Sequence, residues 1–336
     1  MLVTSRSTPP PFTPSAALLL ARRELDAADL WKSHPPLIRH PKKQALLEIA
    51  VGAGRLPEGT LVVSRWAPGE VGGGARIGPA RQTSSVDGAY RYPRTEAGVD
   101  GWHVNFADPE LFAFYGGPPF AQDEIQVAEH PLLACVREML IQQRDGSSPL
   151  RALTREGGRP TPMLFHDVPR WSTIDTTGPG TGIYGRRLHL ASLDEISGAT
   201  QRLEGAPTTK LLAMAAPQGS GIYTPEQLLD VLVTAATGFA AARAESRPNA
   251  RVRVHTGHWG TGAFGGNRVL MAASQVLAAR IAGIDELVYY SLDAGGLRAF
   301  AEGLAIADGV EEERSIDEIV GLLDSHGFVW GRSDGH

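Results

Sequence analysis

The chain has 336 residues, of which 42% are hydrophobic and 21% are charged, as in an ordinary globular protein with a sizeable core. Its formal net charge of −5 argues against broad affinity for a nucleic-acid backbone, which requires a basic surface. Cys135 is the single cysteine, so neither an intramolecular disulfide nor a zinc cage of cysteines can form. We therefore expect a soluble, cytoplasmic, monomeric protein that binds neither nucleic acid nor membranes.

The N-terminal part of the chain has the composition of an extension to a main domain. Residues 1–14 are rich in Pro, Ser and Thr and are expected to be disordered. Residues 15–32 place leucines on one broad apolar face, which predicts an amphipathic helix. We interpret residues 15–98 as an N-terminal helical extension and accessory region. Its other predicted elements are a helix over residues 43–51, a strand over 60–66, and a long connection over 67–98 that contains a glycine triplet at 72–74.

From residue 99 onward, strands and helices alternate, which predicts a layered α/β domain over residues 99–330. One helix start is well marked, because Thr224 can cap the helix, Pro225 suits its first position and Gln227 completes a capping box. The predicted strands cover residues 102–107, 162–166, 187–193, 210–215, 251–256 and 286–292. The predicted helices cover residues 121–129, 131–142, 225–244 and 267–282, followed by two terminal helices.

Residues 256–266, TGHWGTGAFGG, lie between a predicted strand and a predicted helix. Such a loop can point backbone N–H groups at an anion, and glycines let a phosphate approach the backbone closely. The same glycines could also serve only a tight turn. The positions Gly260, Gly262 and Gly265 further satisfy a dinucleotide-binding fingerprint, with an acid, Asp285, twenty residues beyond the last of them. In that fold the acid ends the second strand, whereas Asp285 precedes it.

A second candidate site is Gln122-Asp123-Glu124, at the start of a predicted helix. Acids in a first helical turn can simply complement the helix dipole. A positioned carboxyl can also protonate the departing oxygen of a glycosidic bond and then activate water. The residues alone leave both interpretations open.

Both segments resemble conserved blocks of the poly(ADP-ribose) glycohydrolases, whose core is a macrodomain. Residues 256–266, followed by Asn267, resemble the loop that wraps the diphosphate of ADP-ribose. Residues 104–108, 122–125 and 130–133 resemble the catalytic segment of that family. The resemblance implies a macrodomain-like mixed sheet flanked by helices. It also implies Glu124 as general acid/base, with Gln122 and Asp123 positioning, and no cofactor.

The resemblance further implies a set of ligand contacts. The family has a glycine triplet that shapes the site around the distal ribose, and here the glycines are displaced to Gly116 and Gly117. Phe264 is expected to pack against that ribose, Tyr184 to close over the substrate, and Glu96 to contact adenine. The residues expected to bind ADP-ribose are Asp108, Gly116, Gly117, Thr256, Gly257, His258, Trp259, Gly260, Thr261, Gly262, Ala263, Phe264, Gly265, Tyr184 and Glu96.

The leading interpretation is an ADP-ribosyl glycohydrolase that releases ADP-ribose from poly- or mono-ADP-ribose, with an ADP-ribosylated protein or polymer as its partner. Two alternatives remain open, a non-catalytic ADP-ribose-binding macrodomain and an NAD(P)-dependent oxidoreductase. The spacing of His255 and His258 could suggest a metal ion, but no third ligand cluster accompanies them, and we predict no metal site.

Overall fold

The computed structural model describes residues 17–333, apart from residues 53, 55, 70–75, 95, 144–147, 179 and 180. The predicted disordered segment and the glycine triplet at 72–74 lie outside the described residues. The strands are β1 Ala17–Asp26, β2 Thr60–Pro68, β3 Gln82–Val86, β4 Val99–Phe106, β5 Arg155–Glu156, β6 Arg159–Pro160, β7 Met163–Pro169, β8 Ser172–Ile174, β9 Thr200–Arg202, β10 Thr208–Met214, β11 Arg251–Thr256 and β12 Glu286–Tyr290. The helices are α1 Ala27–Ser33, α2 Pro41–Val51, α3 Gln122–Glu129, α4 Leu132–Gln142, α5 Arg186–Leu190, α6 Leu193–Ala199, α7 Pro225–Ala244, α8 Arg268–Ala282, α9 Ala294–Asp308 and α10 Ile316–Ser325.

Within these ranges, eight strands form one mixed sheet in the order β1-β2-β7-β10-β4-β11-β12-β3. Strands β10, β4, β11, β12 and β3 run parallel to one another, whereas β1, β2 and β7 pair antiparallel. The predicted mixed α/β sheet is therefore confirmed. Because the carboxyl ends of parallel strands meet at one edge, that edge is where an open sheet of this kind binds ligands.

Helices cover both faces of the sheet because successive strand residues point to opposite sides. In β10, Leu212 and Met214 pack into one buried cluster with α7, α8, α9 and α10. Their neighbours Leu211 and Ala213 pack into a second cluster, with α1 and α4. The start of α7 follows the predicted capping box, since Gln227 Oε1 accepts the Thr224 N–H at 3.1 Å and Thr224 Oγ1 accepts the Gln227 N–H at 3.3 Å. No helix in the described ranges has the length and hydrophobicity that crossing a membrane requires.

The predicted helix over residues 15–32 is wrong over residues 17–26. Residues 17–26 form the edge strand β1, which pairs with β2 from Ala17 opposite Pro68 to Asp26 opposite Thr60. Only after Asp26, whose carboxylate accepts the Asp29 N–H at 2.9 Å, does the short helix α1 begin. Pairing with a distant strand has overridden the local helical pattern, as tertiary context commonly does.

Two other predictions also differ from the structure. Residues 187–193 were expected to form a strand, yet residues 186–190 form α5, which buries Leu188 and leaves Leu190 exposed. The connection over residues 67–98 was expected to lack strands, but it contains β3, which pairs with β12 at the edge of the sheet. The region that we interpreted as a helical extension thus supplies β1, β2 and β3 to the central sheet.

Candidate active site

A cavity of about 570 Å³ opens at the carboxyl edge of the parallel strands. Its lining includes residues that lie one or two positions after four of those strands: Ala107 after β4, Ala216 after β10, Gly257 after β11 and Leu292 after β12. Small-molecule sites typically enclose about 300–1,000 Å³. The position and the size of the cavity are therefore those of a ligand site in an open α/β sheet.

The loop after β11 forms one wall of the cavity, and its backbone shape requires glycine at specific positions. Gly260 has φ +74°, and a Cβ atom there would lie 2.5 Å from Cε of Met271 and 2.6 Å from Cβ of Ala216. Gly265 has φ +65°, and a Cβ atom there would lie 2.9 Å from the carbonyl oxygen of Gly331. Glycine at these positions lets the loop turn sharply while it packs directly on the core.

The tip of this loop carries backbone donors that no described acceptor uses. Gly262, Ala263 and Phe264 line it, and their N–H groups donate to no residue that the structure describes. The start of α8 is different, because Asn267 Oδ1 accepts the N–H groups of Val269 and Leu270 at 3.1 and 3.2 Å. The loop tip therefore offers three consecutive amides to an anion, whereas Asn267 already satisfies two N–H groups of the first turn of α8.

Two side chains of the loop hold it in place. His258 Nε2 donates to the carbonyl oxygen of Ser291 at 2.8 Å, which ties the loop to the end of β12. Burial lowers the pKa of His258 and favours its neutral form. Trp259 lies fully buried, and its Nε1 donates to the carbonyl oxygen of Met214 at 2.9 Å. The Trp259 ring therefore packs in the core, and the residue also belongs to the cavity lining.

The opposite wall begins where α3 starts. The side chain of Gln122 spans the end of β4: its Oε1 accepts the Phe106 N–H at 2.8 Å and its Nε2 donates to the Val104 carbonyl at 3.1 Å. Asn105 Nδ2 donates to Asp123 Oδ1 at 3.0 Å. The first turn of α3 is thus fixed to the sheet by side chains from both elements.

Glu124 and Asp123 are buried, and both line the cavity. Glu124 Oε2 accepts the N–H of Ala121, the residue that precedes α3, at 2.8 Å. Burial, together with the neighbouring Glu124, raises the pKa of Asp123 well above its usual range. The pair therefore combines a carboxyl that favours its protonated form with a second carboxyl held at the cavity wall.

Lys43 in α2 was not predicted as a site residue. It is buried, and its Nζ donates to the carbonyl oxygens of Phe114 and Tyr115, each at 3.0 Å. Burial lowers the pKa of Lys43 to about 8, while the charges of Glu124 and Asp123 act in the opposite direction. The ammonium group thus fixes the segment that leads into α3 and places a positive charge near the two acids.

Several predicted ligand residues lie away from the cavity. The carbonyl oxygen of Gly116 accepts the Arg39 N–H at 3.0 Å, and a Cβ atom on Gly116 would lie 2.5 Å from the Leu37 carbonyl oxygen, so this glycine serves close backbone packing. Glu96 is paired with Arg253 at 2.8 Å. The other predicted ligand residues that do not line the cavity are Gly117, Thr256 and Gly265. Those that do are Asp108, Tyr184, Gly257, His258, Trp259, Gly260, Thr261, Gly262, Ala263 and Phe264.

Four aromatic residues that were not predicted as site residues form another part of the cavity wall. Tyr90, Tyr92, Phe106 and Tyr290 line the cavity, and the rings of Tyr90 and Tyr290 lie 4.9 Å apart. The Tyr90 hydroxyl donates to the carbonyl oxygen of Val104 at 3.2 Å. Polar residues complete this side of the cavity: Gln126, Glu129 and, beside the loop, Arg268. The two tyrosines after β3 stand in a connection without recognisable motif, and no pattern in the sequence points to them.

Two alternatives lose their geometric basis. Asp285 directly precedes β12, where it accepts the Val252 N–H at 2.8 Å, so it lies at the amino edge of the sheet and the glycine loop at the carboxyl edge. This separation removes the acid that a dinucleotide-binding fingerprint requires. His255 stacks on His103 with ring centroids 4.4 Å apart, whereas His258 bonds to Ser291. The two histidines therefore do not converge on one point.

Comparison with known proteins gives a family match for part of the chain. Residues 190–299 match the sequence model of a family described as poly (ADP-ribose) glycohydrolase (PARG), macro domain fold. This segment contains the glycine loop, whereas Gln122, Asp123 and Glu124 precede it. None of the curated protein sequences matches the chain.

Solved structures give more distant likenesses. Poly(ADP-ribose) glycohydrolase from Thermomonospora curvata is 16% identical, with 84% of this chain and 85% of that chain covered and a TM-score of 0.43. The structure of the enzyme from Deinococcus radiodurans in complex with ADP-ribose is 13% identical, with coverages of 85% and 95% and a TM-score of 0.43. Likenesses at this level do not bear on the reaction. Over residues 190–299, the chain is thus similar to the poly(ADP-ribose) glycohydrolase family, whose fold is the macro domain.

Proposed function

We propose that the chain hydrolyses the glycosidic bond at ribose C1 of an ADP-ribosyl group and releases ADP-ribose. The observation that carries the proposal is that Glu124 lines the same cavity as Gly262, Ala263 and Phe264, whose N–H groups have no acceptor among the described residues. The match of residues 190–299 to the family model supports a glycoside hydrolase that acts on ADP-ribose.

The loop and the first turn of α3 have separate roles in this proposal. The loop amides bind the diphosphate, and Glu124 stands at the ribose that carries the scissile bond. Its carboxylic acid protonates the departing oxygen as the bond from C1 to that oxygen breaks, leaving oxocarbenium character on the sugar. Water then adds to C1 and gives its proton to the Glu124 carboxylate. Gln122 and Asp123 keep the first turn of α3 in register with β4.

The decisive test is Glu124→Gln, which preserves shape and removes the titrating group. Because general acid–base catalysis contributes about 10²- to 10⁴-fold, we expect at least that loss in the release of ADP-ribose. Calorimetric titration should show that free ADP-ribose still binds. The matched control is Glu302→Gln, an exposed acid on α9, which should leave the rate unchanged. Full turnover by Glu124→Gln would refute the assignment.

A non-catalytic ADP-ribose reader is the second candidate, and one observation favours it. In this structure one oxygen of the Glu124 carboxyl group, Oε2, accepts the Ala121 N–H. If that bond persists with ligand bound, the chain will bind ADP-ribose without releasing it. Incubating the natural chain with poly- and mono-ADP-ribosylated protein separates the two candidates and also defines the preferred substrate.

A further inference from the structure

The cavity is strongly acidic for a site that would hold a diphosphate. Its lining contains four carboxyl groups, those of Asp108, Asp123, Glu124 and Glu129. Among the described lining residues, Arg268 is the only lysine or arginine. A dianionic ligand in such a cavity needs a compensating positive charge, because amide dipoles alone must act against nearby acids.

Arg268 occupies a helix position at which a positive charge is unfavourable. It is the first residue of α8, where a cation opposes the helix dipole. Asn267 already caps this helix. The Arg268 side chain is exposed, and no ion pair joins it to an acid in the described part of the chain. Helix stability therefore gives no reason for an arginine here.

The neighbours of Arg268 place its guanidinium beside the loop. Gly295 lies at the start of α9. If it carried a Cβ atom, that atom would be 3.9 Å from Nη1 of Arg268. The pKa of Asp293, the residue that caps α9, is lowered first by the Gly296 N–H and also by the charge of Arg268. Arg268 thus lies near residues that follow the carboxyl end of β12, and it lines the same cavity as the loop tip.

We propose that Arg268 binds the diphosphate together with the loop tip and makes the site selective for a dianionic nucleoside diphosphate sugar over a neutral nucleoside. A guanidinium offers a planar fork of donors that matches two phosphate oxygens, and such charge-assisted bonds are stronger than neutral ones. This assignment rests on the proposed function for the identity of the sugar, but its anion chemistry can be measured separately.

Calorimetric titration of the full chain with ADP-ribose, inorganic pyrophosphate and adenosine tests the assignment. Arg268→Gln should weaken ADP-ribose and pyrophosphate binding about 10- to 100-fold and leave adenosine binding unchanged. Arg268→Lys keeps the positive charge but loses the planar fork of donors. Its affinities for ADP-ribose and pyrophosphate should therefore lie between those of the natural chain and those of Arg268→Gln. Arg298→Gln is the matched control, since Arg298 is an exposed arginine on α9 that does not line the cavity.

The outcomes separate the two proposals. Equal affinities of the natural chain and Arg268→Gln for pyrophosphate, or equal losses in Arg268→Gln and Arg298→Gln, would overturn the role of Arg268. If the natural chain binds pyrophosphate through Arg268 but neither binds nor releases ADP-ribose, the role of Arg268 stands and the proposed function fails.

Discussion

Replacing Gly260 by alanine tests whether the loop is held by its glycine backbone. An alanine at φ +74° costs about 1–2 kcal/mol of backbone strain. Its Cβ atom would also lie 2.5 Å from Met271 and 2.6 Å from Ala216, and overpacking of this kind costs a further 1–3 kcal/mol or so. We therefore expect a loss of about 2–5 kcal/mol, a large part of the 5–15 kcal/mol that stabilises a typical domain.

Gly205→Ala is the matched control for this experiment. Gly205 has φ +70°, and nothing lies within 4 Å of a Cβ atom there, so its replacement introduces backbone strain without a steric contact. Denaturant unfolding of both variants, at constant m-value, gives the two free energies. We expect Gly260→Ala to lose clearly more stability than Gly205→Ala, and to bind ADP-ribose less tightly. Equal losses would refute the claim that the loop is packed against Met271 and Ala216.

Two further predictions concern buried charges, measured as free energies of unfolding against pH. The pKa of Lys43 is about 8 in the folded state, below its value in the unfolded chain, so the unfolded chain binds more protons between about pH 8 and 10. The free energy of unfolding should therefore rise over this pH range, and Lys43→Met should lack this rise. Burial raises the pKa of Glu129 to about 7, so the folded state binds the extra proton and stability should fall as pH rises from about 4.5 to 7. Glu129→Gln should lack that fall; variants that keep the natural pH dependence would contradict these assignments.

The parts of the site that could be predicted are those whose signal is local. The loop was predicted because strand, glycines and helix follow one another within residues 251–282. The position of Glu124 at a helix start could likewise be derived from its neighbours. In contrast, Lys43 resembles any helical lysine in sequence, and its burial against the Phe114 and Tyr115 carbonyls depends on distant packing.

The wrong predictions concern residues whose structure depends on distant parts of the chain. The segment of β1 has apolar residues at helical spacing, and only its pairing with β2 makes it a strand. The segment QTSSV of β3 is polar, and its only evident reason to be extended is the neighbouring β12. Gly116 shows that a glycine needed for close packing looks the same in sequence as one needed for a ligand.

The internal cap of α8 has a consequence for how this site can change. Because Asn267 satisfies the first turn of the helix, the helix does not need a bound anion in order to form. Substitutions from Thr261 to Ala263 can therefore alter what is bound with little effect on folding. Phe264 packs against the core, Gly260 is constrained by Met271 and Ala216, and Gly265 is constrained by the backbone at Gly331. New ligand preferences are accordingly accessible by single changes at the tip, on a scaffold whose stability is set elsewhere.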